Sequence, residues 1–197
     1  MKSLTHIVTT GALLHDIGKV IHRAEKTDGR SHSVSGAEYI GRFTDNQEII
    51  DCVRFHHKHD ISQATLNQNS LAYAVYIADN ISSGADRRDS EGEKVKGFDR
   101  ARPLESIFNL LNNNNGKDTY EIREITKTIN YPINTQPKDP AADYSKILAG
   151  FTSGLSGIYF EPSYINSLLE LCEAYLSYVP ASTHAGQVSD ISLYDHQ

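Results

Sequence analysis

An adjacent pair, His15-Asp16, sits inside Gly11-Ala12-Leu13-Leu14-His15-Asp16-Ile17-Gly18-Lys19. It offers an imidazole nitrogen and a carboxylate oxygen from one helical turn. Lys19 lies four residues from His15 and three from Asp16, so on a helix all three can face one site. A carboxylate can bridge two cations. Lys19 would then supply positive charge for a phosphate or hold Asp16 by an ion pair, and His15, Asp16 and Lys19 are the candidate catalytic residues. Downstream come His32 with Gly36 after it, the pair His56-His57, and Asp79 within Ile77-Ala78-Asp79-Asn80. Taken singly, these are an ordinary loop histidine, a pair at a helix end and a helix carboxylate. As an ordered set of mixed nitrogen and oxygen donors they predict a divalent-metal site. Sequence leaves open which of His56 and His57 faces the metal; His56 is favoured.

Helices must position these residues. Leu4 to Ala24 reads as one helix, with Val8, Leu13, Leu14, Ile17, Val20 and Ile21 at helical spacing. Thr27-Asp28-Gly29 breaks the pattern. Ser33 or Ser35 is the expected cap of a second helix through Phe43. Asp45 with Glu48 predicts a capping box for a third, through about His57. A fourth helix, Ser70 to Ser83, is apolar on several sides, which predicts a place at the centre of a bundle. The charged stretch from Gly84 to about Arg102 reads as a loop. Pro103 opens a short helix through Leu111, and Asn112 to Gly116 is a low-complexity turn. Tyr120 to Ile133 is either a short hairpin or an irregular extended arm. Helices return over Pro140 to Ser153 and Pro162 to Tyr178, and Asp190 is the expected cap of a last one ending at His196.

The order His-Asp, His, His-His, Asp resembles the HD superfamily of helical metal-dependent phosphohydrolases. HD domains usually carry another histidine on a helix before the His-Asp pair. Here His6 is about two and a half turns upstream on the same predicted helix, so it points away from His15. His196, at the other end, takes that place if the domain is circularly permuted. With that permutation the chain is similar to the N-terminal HD domain of the large subunit of type III CRISPR effector complexes, of the Csm (III-A) kind. The supporting residues are Gly11 to Lys19, Ile77 to Arg88, Pro103 to Phe108, Val179 to Thr183 and Asp190 to His196.

The resemblance implies a mainly α, circularly permuted HD helical bundle forming one domain over residues 1–197. Residues 84–140 would be a charged, irregular insertion, and 188–197 the start of a helix leading into the rest of a large subunit. It also implies a single-stranded DNA nuclease switched on when the assembled complex binds target RNA. The partners would be single-stranded DNA and, through the full-length protein, the other subunits and the guide RNA. Asp16 would bridge; His15, Asp79 and His196 would complete one metal position, and His32 and His56 the other. One or two ions are expected, with Mn, Ni or Co favoured by imidazole and carboxylate donors. Cyclic oligoadenylate synthesis, the family's other activity, needs a Gly-Gly-Asp-Asp palm, and no Gly-Gly pair occurs here.

Composition narrows the partners. A net charge of −6 argues against holding nucleic acid by bulk electrostatics, so a local basic patch, bound metal or a partner must do it. Arg87 and Arg88, with Lys94, Lys96, Arg100 and Arg102, are candidates for a strand-binding rim. Asp86, Asp89, Glu91 and Glu93 nearly cancel them, so a solvated loop competes, and no interleaved aromatics support base stacking. No apolar run is long enough for a membrane span and no signal-peptide core is present, so a cytoplasmic protein is expected. Cys52 and Cys172 read as two reduced, packed thiols. Two other functions compete. One is a nucleotide phosphohydrolase or cyclic-dinucleotide phosphodiesterase, although Lys58-His59-Asp60-Ile61-Ser62 lacks the Gly-Tyr-Pro of the latter subgroup. The other is an assembly domain with a vestigial metal site.

Overall fold

The apolar repeat that predicts one helix from Leu4 to Ala24 is divided at the His-Asp pair itself. Helix α1 runs Leu4–Leu14 and α2 Ile17–Ala24, with His15 and Asp16 in the turn between them. The break has a local cause. His15 Nδ1–H donates to the Ala12 carbonyl at 2.7 Å, and Asp16, at φ −100° and ψ 7°, leaves the helical region. Asp16 is the N-cap of α2, where an aspartate ordinarily accepts from a backbone N–H in the first turn. It makes no such bond, and its carboxylate is 1% exposed.

The computed structural model describes residues 4–25, 29–86, 97–113, 116–185 and 187–197. After α2 come α3 (His32–Ile40), α4 (Gln47–Arg54), α5 (Lys58–Gln63), α6 (Ala72–Asp86), α7 (Pro140–Leu155), α8 (Ile165–Leu176) and α9 (Leu193–His196). The caps differ from those expected. Ser31, not Ser33 or Ser35, accepts from Val34 N; Asn46, not Asp45, accepts from Glu48 N; Ser192, not Asp190, accepts from Asp195 N. Ser, Asn and Asp cap almost equally well, so composition cannot choose between neighbours. α4 stops at Arg54 and leaves His56 and His57 in the link to α5, free of helical register.

α2 packs on α3 and α7, α1 lies against α4, α6 and α8, and α3 lies on α4. Their shared core includes Leu14, Ile17, Val20, Ile40, Ile49, Val53, Tyr144, Phe151, Leu168 and Leu176. The fold is the mainly helical bundle that the sequence predicts. The position of α6 is a correction. Its Ala72 and Val75 are buried, but Ile77 and Ile81 are 56% and 70% exposed, so it flanks the bundle. Only one stripe of this helix is covered, by α1, α4 and α9.

Irregular backbone fills most of 97–139. Among the described residues the β pairing amounts to isolated bridges. Thr119 and Ile133 exchange backbone hydrogen bonds at 2.9 and 3.0 Å, closing the base of an extended arm. Beyond that base Asn130 Nδ2 donates to the Glu121 carbonyl at 3.0 Å, a side chain in place of a ladder. Of the arm's isoleucines only Ile122 is buried; Ile125, Ile129 and Ile133 are exposed, so no alternating face drives a regular hairpin. The helix expected from Pro103 is a 3-10 helix, Ile107–Asn113. No helix among the described residues is long and apolar enough to cross a membrane. Both cysteines are free and buried.

Candidate metal centre

Five stretches of chain meet around Asp16: the α1–α2 turn, the start of α3, the α4–α5 link, α6 and α9. Close backbone packing brings the first two together. A Cβ on Gly18 would lie 1.9 Å from the His32 carbonyl oxygen, so only glycine lets α2 approach α3 there. His32 Nε2 consequently lies 3.1 Å from Asp16 Oδ1. Ser33 Oγ and Arg54 both donate to Asp60 Oδ2, at 2.8 and 3.0 Å, which ties the start of α3 to α4 and α5. His32 Nε2 then meets His56 Nε2 at 3.3 Å and His57 Nε2 at 2.8 Å.

Second partners fix how the histidines face. His15 and His56 donate Nδ1–H to the carbonyls of Ala12 and Val53, each at 2.7 Å. A carbonyl only accepts, so in both rings Nε2 keeps its lone pair for the site. Ser82 Oγ donates to the His196 carbonyl at 3.0 Å and lies 3.1 Å from His196 Nδ1, which leaves His196 Nε2 facing inward as well. That nitrogen is 3.6 Å from Asp16 Oδ2 and 3.3 Å from Asp79 Oδ1.

The donors form two groups joined by carboxylates. His15, Asp16 and His196 make one, all buried; His32, His56 and His57 make the other, where only His56 is buried. Asp16 Oδ1 faces His32 and His56, while Oδ2 faces His15, His196 and Lys19. Asp79 repeats the pattern, with Oδ1 3.8 Å from His15 Nε2 and Oδ2 4.0 Å from His57 Nδ1. Donors sharing one cation at about 2.1 Å sit about 3 Å apart when adjacent and about 4 Å when opposite. Each group spans 4.8 Å or less. His15 Nε2 and Asp16 Oδ1 are buried without a hydrogen-bond partner among the described residues. Such orphans are what a ligand set leaves when its ion is left out. The residues therefore fit a divalent metal.

Protonation agrees with that fit. Burial raises the Asp16 carboxyl, but Lys19 (Nζ at 2.5 Å) and then His15 outweigh it and hold it well below its ordinary value. Burial also raises Asp79, and the bond from His196 and the charge of His15 reverse this, to about 2. Burial, then His56 and His32, push the His57 imidazole down to about 3, and burial lowers His56. At neutral pH the carboxylates are ionised and these two imidazoles are neutral, the forms that ligate. Neither cysteine belongs to either donor group among the described residues, and burial pushes both thiols up to about 12.

The cluster opens onto a groove of about 690 Å³ whose walls include Lys19, Arg30, Lys58, Phe98, Arg100 and His184. His15, Asp16, His32, His56, Asp79 and His196 lie together in this cluster, and His57 lies with them instead of competing with His56. Lys19 is committed to Asp16. Arg87 and Arg88 lie outside the described residues. Arg102 leaves the expected rim, bonding Glu105 and the His184 carbonyl, while Arg100 lines the groove. Phe98 and His184 carried no sequence signal, since the residues that make them neighbours are far apart in the chain.

The HD domain family matches residues 5–84. A CRISPR system single-strand-specific deoxyribonuclease Cas10/Csm1 (subtype III-A) from Enterococcus italicus is 37% identical over 94% of this chain and 26% of its own length. The crystal structure of Csm1 from T. onnurineus superposes with a TM-score of 0.71 at 26% identity, over 100% of this chain and 27% of that one. A Csm1–Csm4 subcomplex of the type III-A CRISPR-Csm interference complex gives 0.66 at 25%, over 97% of this chain and 26% of its counterpart. The chain spans about a quarter of the length of these relatives.

Proposed function

Because the chain carries an HD domain and is homologous over nearly its whole length to the Cas10/Csm1 proteins of subtype III-A CRISPR systems, we propose that it is a metal-dependent phosphodiesterase cutting single-stranded DNA. The observation that carries the reading is the pair of adjoining donor groups, with two orphaned buried atoms, His15 Nε2 and Asp16 Oδ1, in one of them. His15, His196 and Asp79 would hold one ion, His32, His56 and His57 another, with Asp16 shared. Imidazole and carboxylate donors suit Mn, Ni or Co. Bound there, such ions supply Lewis acidity and make water nucleophilic near neutral pH.

The chain's own residues do the rest. Lys19 holds Asp16 Oδ2 and keeps that carboxylate ionised. The Ala12 and Val53 carbonyls hold His15 and His56 in the ligating tautomer. The groove admits a strand, and its exposed cations Lys58 and Arg100 meet phosphates on a chain whose net charge is −6. Residues 1–197 act as one cytoplasmic HD domain of a longer large subunit, in a complex with Csm4-like and other subunits and a guide RNA. Arg87 and Arg88, outside the described residues, are proposed as further contacts for the strand.

The test is Mn²⁺- or Ni²⁺-dependent degradation of labelled single-stranded DNA by this chain and by Asp16→Ala, with dNTPs and cyclic dinucleotides alongside. Cleavage of the strand by the parent alone is the expected result. Equal cleavage by the variant would sink the assignment; selective turnover of dNTPs or cyclic dinucleotides would redirect it.

A further inference from the structure

Phe98 is 75% exposed, yet it is not on a loose tip. Its neighbours are pinned: Asp99 N–H donates to the Thr183 carbonyl and Ala185 N–H to the Gly97 carbonyl, each at 2.9 Å. Phe98 and His184 form an antiparallel bridge, and Arg102 donates to the His184 carbonyl at 3.1 Å. Gly97, at φ +124°, turns the chain into this pairing in a conformation that a side chain would oppose. The His184 ring stands edge-on to Phe98, at 90° and 5.3 Å between centroids. A T-shaped contact occupies at most one face of the Phe98 ring and leaves the other for another partner.

Both rings line the groove that holds His32, His56, His57, Asp79 and His196, as do Lys19, Lys58 and Arg100. A fixed aromatic face beside cations, in one groove with a metal-ligand cluster, has the makings of a single-strand site: charge for the backbone and a ring for a base. We propose that Phe98, braced by His184, is a stacking platform for a nucleobase of the bound strand and so a source of the preference for single over double strands. In a duplex both faces of each base are already stacked, so the ring has nothing to receive. This rests on the nuclease reading above for the site, but not for the binding it predicts.

The experiment measures KM and kcat with Mn²⁺ on labelled oligodeoxythymidylate for the parent chain, Phe98→Ala and Phe98→Trp. Fluorescence anisotropy gives Kd for the same strand. Phe98→Ala is expected to raise KM and Kd about tenfold to a hundredfold, with kcat within about twofold, as removal of one stacked base contact does. Phe98→Trp keeps the parent values, and on a strand of abasic residues the penalty of Phe98→Ala vanishes. Unchanged KM and Kd in Phe98→Ala, an equal loss on the abasic strand, or a parent that does not bind the strand would each overturn the platform. The binding arm needs no turnover. Strand binding through Phe98 without cutting would defeat the nuclease reading alone, and cutting indifferent to Phe98 would defeat the platform alone.

Discussion

The two donor groups on either side of Asp16 use the same chemistry in different settings. The His15, Asp16 and His196 group is closed: each side chain is 4% exposed or less. The His32, His56 and His57 group is half open, with side chains 22%, 0% and 39% exposed. The closed group is made by a turn and by a helix that returns from the other end of the chain. The open group is made by a helix start and a short link, and it faces the groove. An ion in the first would be held by packing as much as by ligands, whereas an ion in the second can meet a strand directly. Asp16 and Asp79 each turn one oxygen toward either group, which makes them the points where the two settings meet.

The largest effect should come from removing that shared element. Asp16→Ala is expected to lose metal from both groups and to lower cleavage by more than about 100-fold, beyond what a supporting residue costs. Isothermal titration with Mn²⁺ and the cleavage rate read the two losses; retention of either group's ion would show that the groups are independent. Next comes the packing that assembles the open group. Gly18→Ala must push the His32 carbonyl away and should cost about 1–3 kcal/mol, the range for overpacking. Its urea midpoint should fall together with activity, and an unchanged midpoint would mean that the α2–α3 approach is not tight.

A smaller effect separates the groups. His57→Ala takes an imidazole from the open group alone, so metal affinity should fall about 10- to 100-fold there. Stability without metal should stay within about 0.5 kcal/mol. If stability falls as far as it does for Gly18→Ala, His57 is a packing residue and the open group is His32 and His56 only.

Acid should have the mildest and most graded effect. The His56 and His57 imidazoles are held below their ordinary value of 6.5, His57 at about 3. Below pH 6.5 the unfolded chain therefore binds protons that the folded chain refuses, and folding stability falls as pH drops toward 3. It is complete above about 6.5. Asp79, held at about 2, adds to the loss below its ordinary 3.8. Denaturation midpoints of the metal-free chain at pH 7, 5 and 4 should fall in that order; a rise on acidification would contradict the neutral state of these imidazoles.

Much of the closed group was legible because local sequence makes it. The apolar run before His15-Asp16 and the Gly18 and Lys19 after it are all needed, for the core, the α3 approach and the Asp16 ion pair. His196 was reachable only through the permuted arrangement, since nothing local links residue 196 to residue 15. The open group was less legible. Helical periodicity carried the third helix to about His57, but it stops at Arg54, and outside a helix both His56 and His57 can turn inward. α6 departs from its expected place because apolar residues on several sides do not require several buried sides: Ile77 and Ile81 stay exposed. Phe98 and His184 were invisible because each becomes significant only when two irregular segments pair. Irregular segments carry no period from which sequence can place them.

The central claim is that two unequal ions share Asp16. The most direct measurement is metal content and affinity of the purified chain in Mn²⁺, by titration and elemental analysis, for the parent, His57→Ala and Asp16→Ala. Two ions in the parent, one of them bound about 10- to 100-fold more weakly in His57→Ala, and none in Asp16→Ala are predicted. A single ion in the parent that His57→Ala leaves untouched would contradict the account.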